Sequence, residues 1–121
     1  MTYPHNPSEG TKELCYRRDD WSCVRCGASL FSVSGSLHHR KPRSIAHRGE
    51  MHQASNLILL CGSGTTGCHG WVHAHPKEAR KHGWILRSWD TPREAPVETM
   101  RGLMLLDDHG GMEEVPNVVQ S

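Results

Sequence analysis

Cys23 and Cys26 are separated by two residues, Cys61 follows Cys26 after 34 more, and Cys68 closes a second pair with six residues between. A two-residue spacer lets both thiolates of a turn face one ion, and a second pair from elsewhere completes four soft ligands at about 2.3 Å around a tetrahedral zinc. A thiolate set without an open position is structural, so Cys23, Cys26, Cys61 and Cys68 are expected to hold a structural Zn2+. A thioredoxin-like redox pair would need a βαβ setting that the pattern lacks, and disulfides would need an oxidising compartment. The fifth thiol, Cys15, reads as a small buried apolar residue on the first helix.

Between and beside the cysteines lie His38-His39, Asn56, His69 and His73. On a helix, positions i and i+4 share a face, so His69 and His73 can approach one target. Adjacent residues on a strand point to opposite faces, which lets His38 turn toward a metal while His39 does something else. Metal-assisted phosphodiester hydrolysis needs such parts: a base for the water proton, a cation for the charge that develops on phosphorus and the leaving oxygen, and a group that fixes the base.

The elements that must position these residues are short. Residues 1–11 read as a flexible leader and 12–19 as a short helix, followed by the cysteine turn. Residues 30–39 alternate around Val33, Leu37 and His39, with Ser34-Gly35 predicted as the turn between two short strands. The stretch 41–55 is polar and loop-like, Leu57 to Leu60 reads as a buried strand, and Gly62 to Gly67 as loop. His69 to His82 has helical character interrupted at Pro76, with Gly83 as its C-terminal cap. Trp84 to Trp89 is predicted as a strand, 90–98 as a Pro-containing connection, and 101–115 as a hairpin. Trp71, Trp84 and Trp89 are expected to be core or helix-packing residues, and the Gly-rich segment an insertion that turns the chain between ligands.

A chain of 121 residues with 36% hydrophobic residues and a single Phe has a thin core and benefits from a metal staple. Charge is divided unevenly: residues 1–89 carry twelve Lys/Arg against six Asp/Glu, residues 90–121 two against seven. A basic body with an acidic tail suits a polyanion partner. Arg40, Lys41, Arg43 and Arg48 are the candidates for gripping backbone phosphates. His5, His47, His52, His75, His82 and His109 are assigned no catalytic part. No run suits a signal peptide or a membrane span, so the expected setting is cytoplasmic and without a membrane partner.

The order His38-His39, Asn56 and Cys68-His69, together with the Cys23/Cys26 knuckle, resembles the HNH endonuclease signature over residues 14–76. Trp21-Ser22-Cys23-Val24-Arg25-Cys26-Gly27, Leu37-His38-His39-Arg40 and Asn56-Leu57 are similar to small HNH proteins found beside DNA-packaging genes in tailed bacteriophages and prophages. The resemblance implies a ββα-metal core, so the expected fold is small α+β, with the four-cysteine zinc knuckle and, outside the signature, a C-terminal strand or hairpin extension. Together with the leader and the acidic tail read from composition, this gives an expected division into a leader (1–11), a nuclease domain (12–89) and an acidic extension (90–121). The resemblance implies His39 as general base, His38 and His69 as ligands of a catalytic divalent ion, and Asn56 as the brace of the loop around the base. His73 resembles the further His that in some members completes the metal site or touches the scissile phosphate. The second pair departs from the C-x2-C spacing of many zinc-stapled members through Gly62 to Gly67.

The expected function is therefore metal-dependent hydrolysis of DNA, with phage DNA processing or packaging as its setting, terminase or other packaging proteins as further partners, and the bacterial host cytoplasm as its location. Imidazole ligands suit Zn, Ni, Co or Mn, and Mg fits if carboxylates or waters fill the remaining positions. The alternative is a non-catalytic zinc-stabilised module that binds DNA or a packaging partner.

Overall fold

Leu57-Ile58-Leu59-Leu60 is an unbroken apolar run, and all four side chains are fully buried. A run of that kind belongs in a strand covered on both faces, and the remaining elements assemble around it. The computed structural model describes residues 6–47 and 49–116. In chain order these form α1 (Glu9–Arg18), β1 (Gly35–His39), a 3-10 turn (Ala54–Asn56), β2 (Leu57–Cys61), α2 (Gly67–Ala74), α3 (Pro76–Lys81), β3 (Val97–Thr99), β4 (Gly102–Leu106) and β5 (Met112–Glu114). The architecture is small and mixed α/β, with a two-stranded and a three-stranded sheet among the described residues.

β1 and β2 are antiparallel, with Gly35 opposite Cys61, His38 opposite Ile58 and His39 opposite Leu57. An open sheet edge leaves ladder groups unpaired, and side chains complete this one. Arg18 Nη2 donates to the Leu57 carbonyl, Asp19 Oδ2 accepts from the Leu59 amide at 3.0 Å, and the Val24 amide donates to the Leu59 carbonyl at 2.8 Å. Arg18 and Asp19 are themselves a buried ion pair. The cysteine turn and the end of α1 are thus fixed to β2 before any metal is considered.

Ile58 and Leu60 pack with Val72, Ala79, Trp84, Val97, Met104 and Leu106 in one core. The C-terminal sheet, in which β4 pairs with both β3 and β5, therefore shares the core of the preceding elements. Its turn is also tied down, because Asp108 Oδ1 accepts from the Ser55 amide at 3.1 Å and from the Ser55 hydroxyl.

Several expectations are corrected. The first helix starts at Glu9 rather than 12, because Ser8 caps it by accepting from the Thr11 amide; residues 1–5 of the expected leader lie outside the described residues. Residues 30–39 do not form a hairpin about Ser34-Gly35. β1 pairs with β2 instead, and the Ser32 and Val33 amides fold back onto the Ser29 carbonyl. Trp84 to Trp89 is not a strand. Other segments take its first polar groups: His38 Nε2 bonds to the Trp84 carbonyl, and the Leu86 amide donates to the Arg40 carbonyl at 2.8 Å. Val97 and Glu98, expected as the end of the connection, lie in β3 because β4 offers it a partner. Trp84 is buried as expected, whereas Trp89 is 73% exposed. The hairpin of 101–115, the helix break at Pro76 and the positive φ of Gly83 (75°) all appear.

Candidate metal centres

The four cysteines come from three elements. Cys23 and Cys26 lie on the turn after α1, Cys61 ends β2, and Cys68 opens α2. The turn closes with the Gly27 amide on the Cys23 carbonyl at 2.8 Å, and Gly27 takes φ 80°. The six-residue spacer works because Gly62 and Gly67 are glycines. A Cβ on Gly62 would lie 2.1 Å from the Thr66 carbonyl oxygen, and one on Gly67 2.6 Å from that of Cys61. That close approach brings the two ends of the loop, and their thiols, together.

One sulfur from each cysteine lies within 4.8 Å of the other three, and none is in a disulfide. Cys26 Sγ and Cys61 Sγ are 3.8 Å apart, which is close to the edge of about 3.8 Å of a tetrahedron with about 2.3 Å zinc–sulfur bonds. Amides point at the sulfurs: Cys26 N lies 3.5 Å from Cys23 Sγ and Cys68 N 3.4 Å from Cys61 Sγ. Burial pushes the Cys23 thiol up, but hydrogen bonds from the Cys26, Cys61 and Arg25 amides outweigh it and hold the pKa below the ordinary value. Arg25 adds a cation, with Nη1 3.3 Å from Cys68 Sγ and its guanidinium 3.9 Å above the Trp71 ring. The arrangement can hold a soft, four-coordinate ion such as zinc.

A second cluster joins β1 to α2. His38, His69 and His73 each offer one ring nitrogen within 4.8 Å of the others, and their ring centroids are 4.6 to 5.3 Å apart. Hydrogen bonds fix two of the tautomers. His38 Nε2 lies 2.7 Å from the Trp84 carbonyl, which can only accept, so Nε2 carries the proton and Nδ1 has the lone pair. That Nδ1 is buried and has no hydrogen-bond partner among the described residues. The Ser36 hydroxyl donates to the Gly62 carbonyl at 2.9 Å, so it accepts from His69 Nδ1 at 2.6 Å and leaves His69 Nε2 bare. Bonds of this kind orient metal-ligating imidazoles. Burial, opposed by the Trp84 bond and aided by His69 and His73, takes the His38 pKa to about 3. Burial, then His73 and His39, takes that of His69 to about 4. Both rings are neutral at pH 7, as a ligand must be. An unpartnered buried lone pair beside two further imidazoles fits a divalent cation.

No family model, curated protein or solved structure matches the chain. What these centres can do is set by their own residues.

His39 stands next to the triad rather than in it. Its Nε2 lies 3.1 Å from His52 Nδ1, and burial, then His52 and Arg43, lower its pKa to about 4. His52, which the sequence marks in no way, is thus part of the site. Asn56 is fully buried and ties the intervening loop at both ends. Its Oδ1 accepts from the Lys41 amide at 2.8 Å, and its Nδ2 donates to the Lys41 carbonyl at 3.2 Å and the Met51 carbonyl at 3.0 Å.

Two of the four basic candidates are corrected. Arg40 is fully buried, and its guanidinium donates to the carbonyls of Gly83, Ser55, Pro92 and Ala95 at 2.7 to 3.0 Å. The Lys41 ammonium is bonded to Glu50 Oε1 at 2.6 Å and to the Asp90 carbonyl at 2.8 Å, with its side chain 1% exposed. Neither cation faces solvent, because each satisfies main-chain acceptors of the irregular 83–96 segment. Arg43 is exposed and near enough to His39 to disfavour its protonation. Arg48 lies outside the described residues.

Proposed function

We propose that this chain is a divalent-metal-dependent endonuclease of the HNH, ββα-metal type, hydrolysing DNA phosphodiester bonds, with a structural zinc on Cys23, Cys26, Cys61 and Cys68. The observation that carries the reading is the buried, unpartnered Nδ1 of His38 beside His69 and His73, with a further neutral imidazole, His39, at its side. A cation held by His38, His69 and His73 would polarise the phosphoryl oxygen and stabilise charge on phosphorus and the leaving 3′ oxygen. His39 takes the proton of the attacking water, a task suited to an imidazole that is unprotonated at neutral pH. Ser36 and the Trp84 carbonyl hold His69 and His38 in their ligand tautomers. Asn56 holds the loop beside His39. Arg43, exposed and close to His39, is the described basic candidate placed to meet a phosphate.

Plasmid cleavage tests the proposal. Zinc-loaded protein is incubated with EDTA, then with Mg, Mn, Ni, Co or Zn added singly. Metal-dependent nicking that falls by about 100-fold or more in His39→Ala supports it. A folded, zinc-loaded protein that cuts nothing with any of these ions overturns it in favour of a zinc-stabilised DNA-binding or packaging-partner module.

A further inference from the structure

The His39–His52 contact, 3.1 Å between Nε2 and Nδ1, joins two half-buried rings from different segments, with centroids 5.2 Å apart. A nitrogen–nitrogen hydrogen bond has one proton, and its placement decides what His39 can do. If His52 Nδ1 donates, the Nε2 lone pair of His39 is occupied; a neutral His39 then carries its proton on Nδ1 and has no free lone pair. If His39 Nε2 donates, Nδ1 keeps a free lone pair and His52 acts only as acceptor. Base catalysis requires the second arrangement, in which a third group orients the base and selects its tautomer.

His52 is held for that purpose from behind. The residue before it, Met51, is buried, and its carbonyl accepts from Asn56 Nδ2 at 3.0 Å. The same amide side chain bonds both main-chain groups of Lys41, two residues beyond His39. One buried side chain thereby fixes the two stretches of chain that carry the partners of this contact. His39 is held at the end of β1 by its pairing with β2, whereas no described residue between Lys41 and Gln53 lies in a helix or strand, so the His52 side of the contact depends on tethers such as the Asn56 bond to Met51.

We propose that His52 is a positioning residue for His39: it accepts a hydrogen bond from His39 Nε2, keeps Nδ1 as the basic nitrogen, and is set in place by Asn56 through Met51. This rests on the nuclease reading for its catalytic consequence, but the hydrogen bond is a claim about the resting protein.

The test uses zinc-loaded full chain and the variants His52→Ala and His52→Asn, the latter keeping an acceptor near the position of Nδ1. Long-range 1H–15N correlation spectra of the histidine rings report the tautomer of His39 without reference to activity. In the wild type, Nε2 is expected to appear protonated and Nδ1 bare; in His52→Ala the two signals should move toward averaged values, and in His52→Asn return. Steady-state cleavage of a DNA duplex should show kcat lowered about 10- to 100-fold in His52→Ala, with KM within about twofold and substantial recovery in His52→Asn. A wild-type His39 protonated on Nδ1, or an active protein whose kcat is indifferent to His52→Ala, overturns the inference. A wild type that cuts no DNA overturns the nuclease reading and the catalytic half of the inference, while the ring spectra still decide whether His39 donates to His52. If His52→Ala does not fold, His52→Asn and the wild-type spectra carry the same decision.

Discussion

Cys68 and His69 are consecutive residues whose side chains enter different ligand clusters, Cys68 joining Cys23, Cys26 and Cys61, and His69 joining His38 and His73. Both lie in the first turn of α2, where successive side chains diverge by about 100° around the axis. A single helical turn therefore belongs to two centres, and the thiol cluster sets where the imidazole cluster can form.

The coupling should run in one direction. His69→Ala is expected to keep one zinc per chain and its thermal stability within about 1 kcal/mol, while losing the second metal. Cys68→Ser should lose the zinc, and with it folding, because a structural zinc contributes apparent binding energy of about 10 kcal/mol or more, comparable to the whole stability of a small domain. Elemental analysis together with thermal melts would separate the two. Equal zinc loss in both variants would contradict the hierarchy.

Arg25 ties the knuckle to α2 through its bond to Cys68 Sγ and its stacking on Trp71. Removing it in Arg25→Ala should destabilise the protein by about 1–2 kcal/mol and speed zinc transfer to a chelator. Arg25→Lys keeps the charge but not the planar stack, and should fall between. Chelator-exchange kinetics followed with a chromogenic zinc indicator would show the order.

Arg40 and Arg43 are three positions apart and should behave oppositely. Arg40→Met leaves five main-chain carbonyls without this donor and should lower stability by about 3–5 kcal/mol. Arg43→Ala should leave stability within about 0.5 kcal/mol, yet weaken DNA binding and reduce the slope of log K against log salt by about one. Denaturant titration and salt-dependent DNA binding make the comparison. A stable Arg40→Met protein would mean that its carbonyls find other donors.

The contrast also explains what could be read from the chain alone. Both ligand clusters were legible, because thiols at C-x2-C spacing and imidazoles at i,i+4 signal through local spacing, and β2 was legible as the apolar run Leu57 to Leu60. The burial of Arg40 and Lys41 was not. Apart from the Ser55 carbonyl, their main-chain acceptors are the carbonyls of Gly83, Asp90, Pro92, Ala95 and Pro96, 43 to 56 positions away, and no local periodicity announces an irregular segment that needs a cation. The missing strand at 84–89 has a similar cause, because the His38 ring takes the Trp84 carbonyl and the Arg40 carbonyl takes the Leu86 amide. His52 escaped because a histidine in a polar loop looks like any other until Asn56 fixes the loop.

Lys41 and Glu50 give a prediction that depends on pH. Burial raises the Glu50 pKa, but the hydrogen bond from Lys41, then that from the His47 amide, outweigh it and hold the carboxyl below its ordinary value. A carboxylate whose folded pKa is depressed contributes stability that is present above its unfolded pKa of about 4.3 and disappears as pH falls through the folded value. At pH 7 the Glu50→Gln variant should therefore be less stable than wild type by about 1–2 kcal/mol, a figure kept modest because the Glu50 side chain is 14% exposed. As pH falls below the unfolded pKa and through the depressed folded value, the wild-type carboxyl protonates as well, and the two melting temperatures should converge. Paired thermal melts from pH 3 to pH 8 would reveal it. A difference that does not change with pH would assign the effect of the substitution to packing instead of to the charge of Glu50.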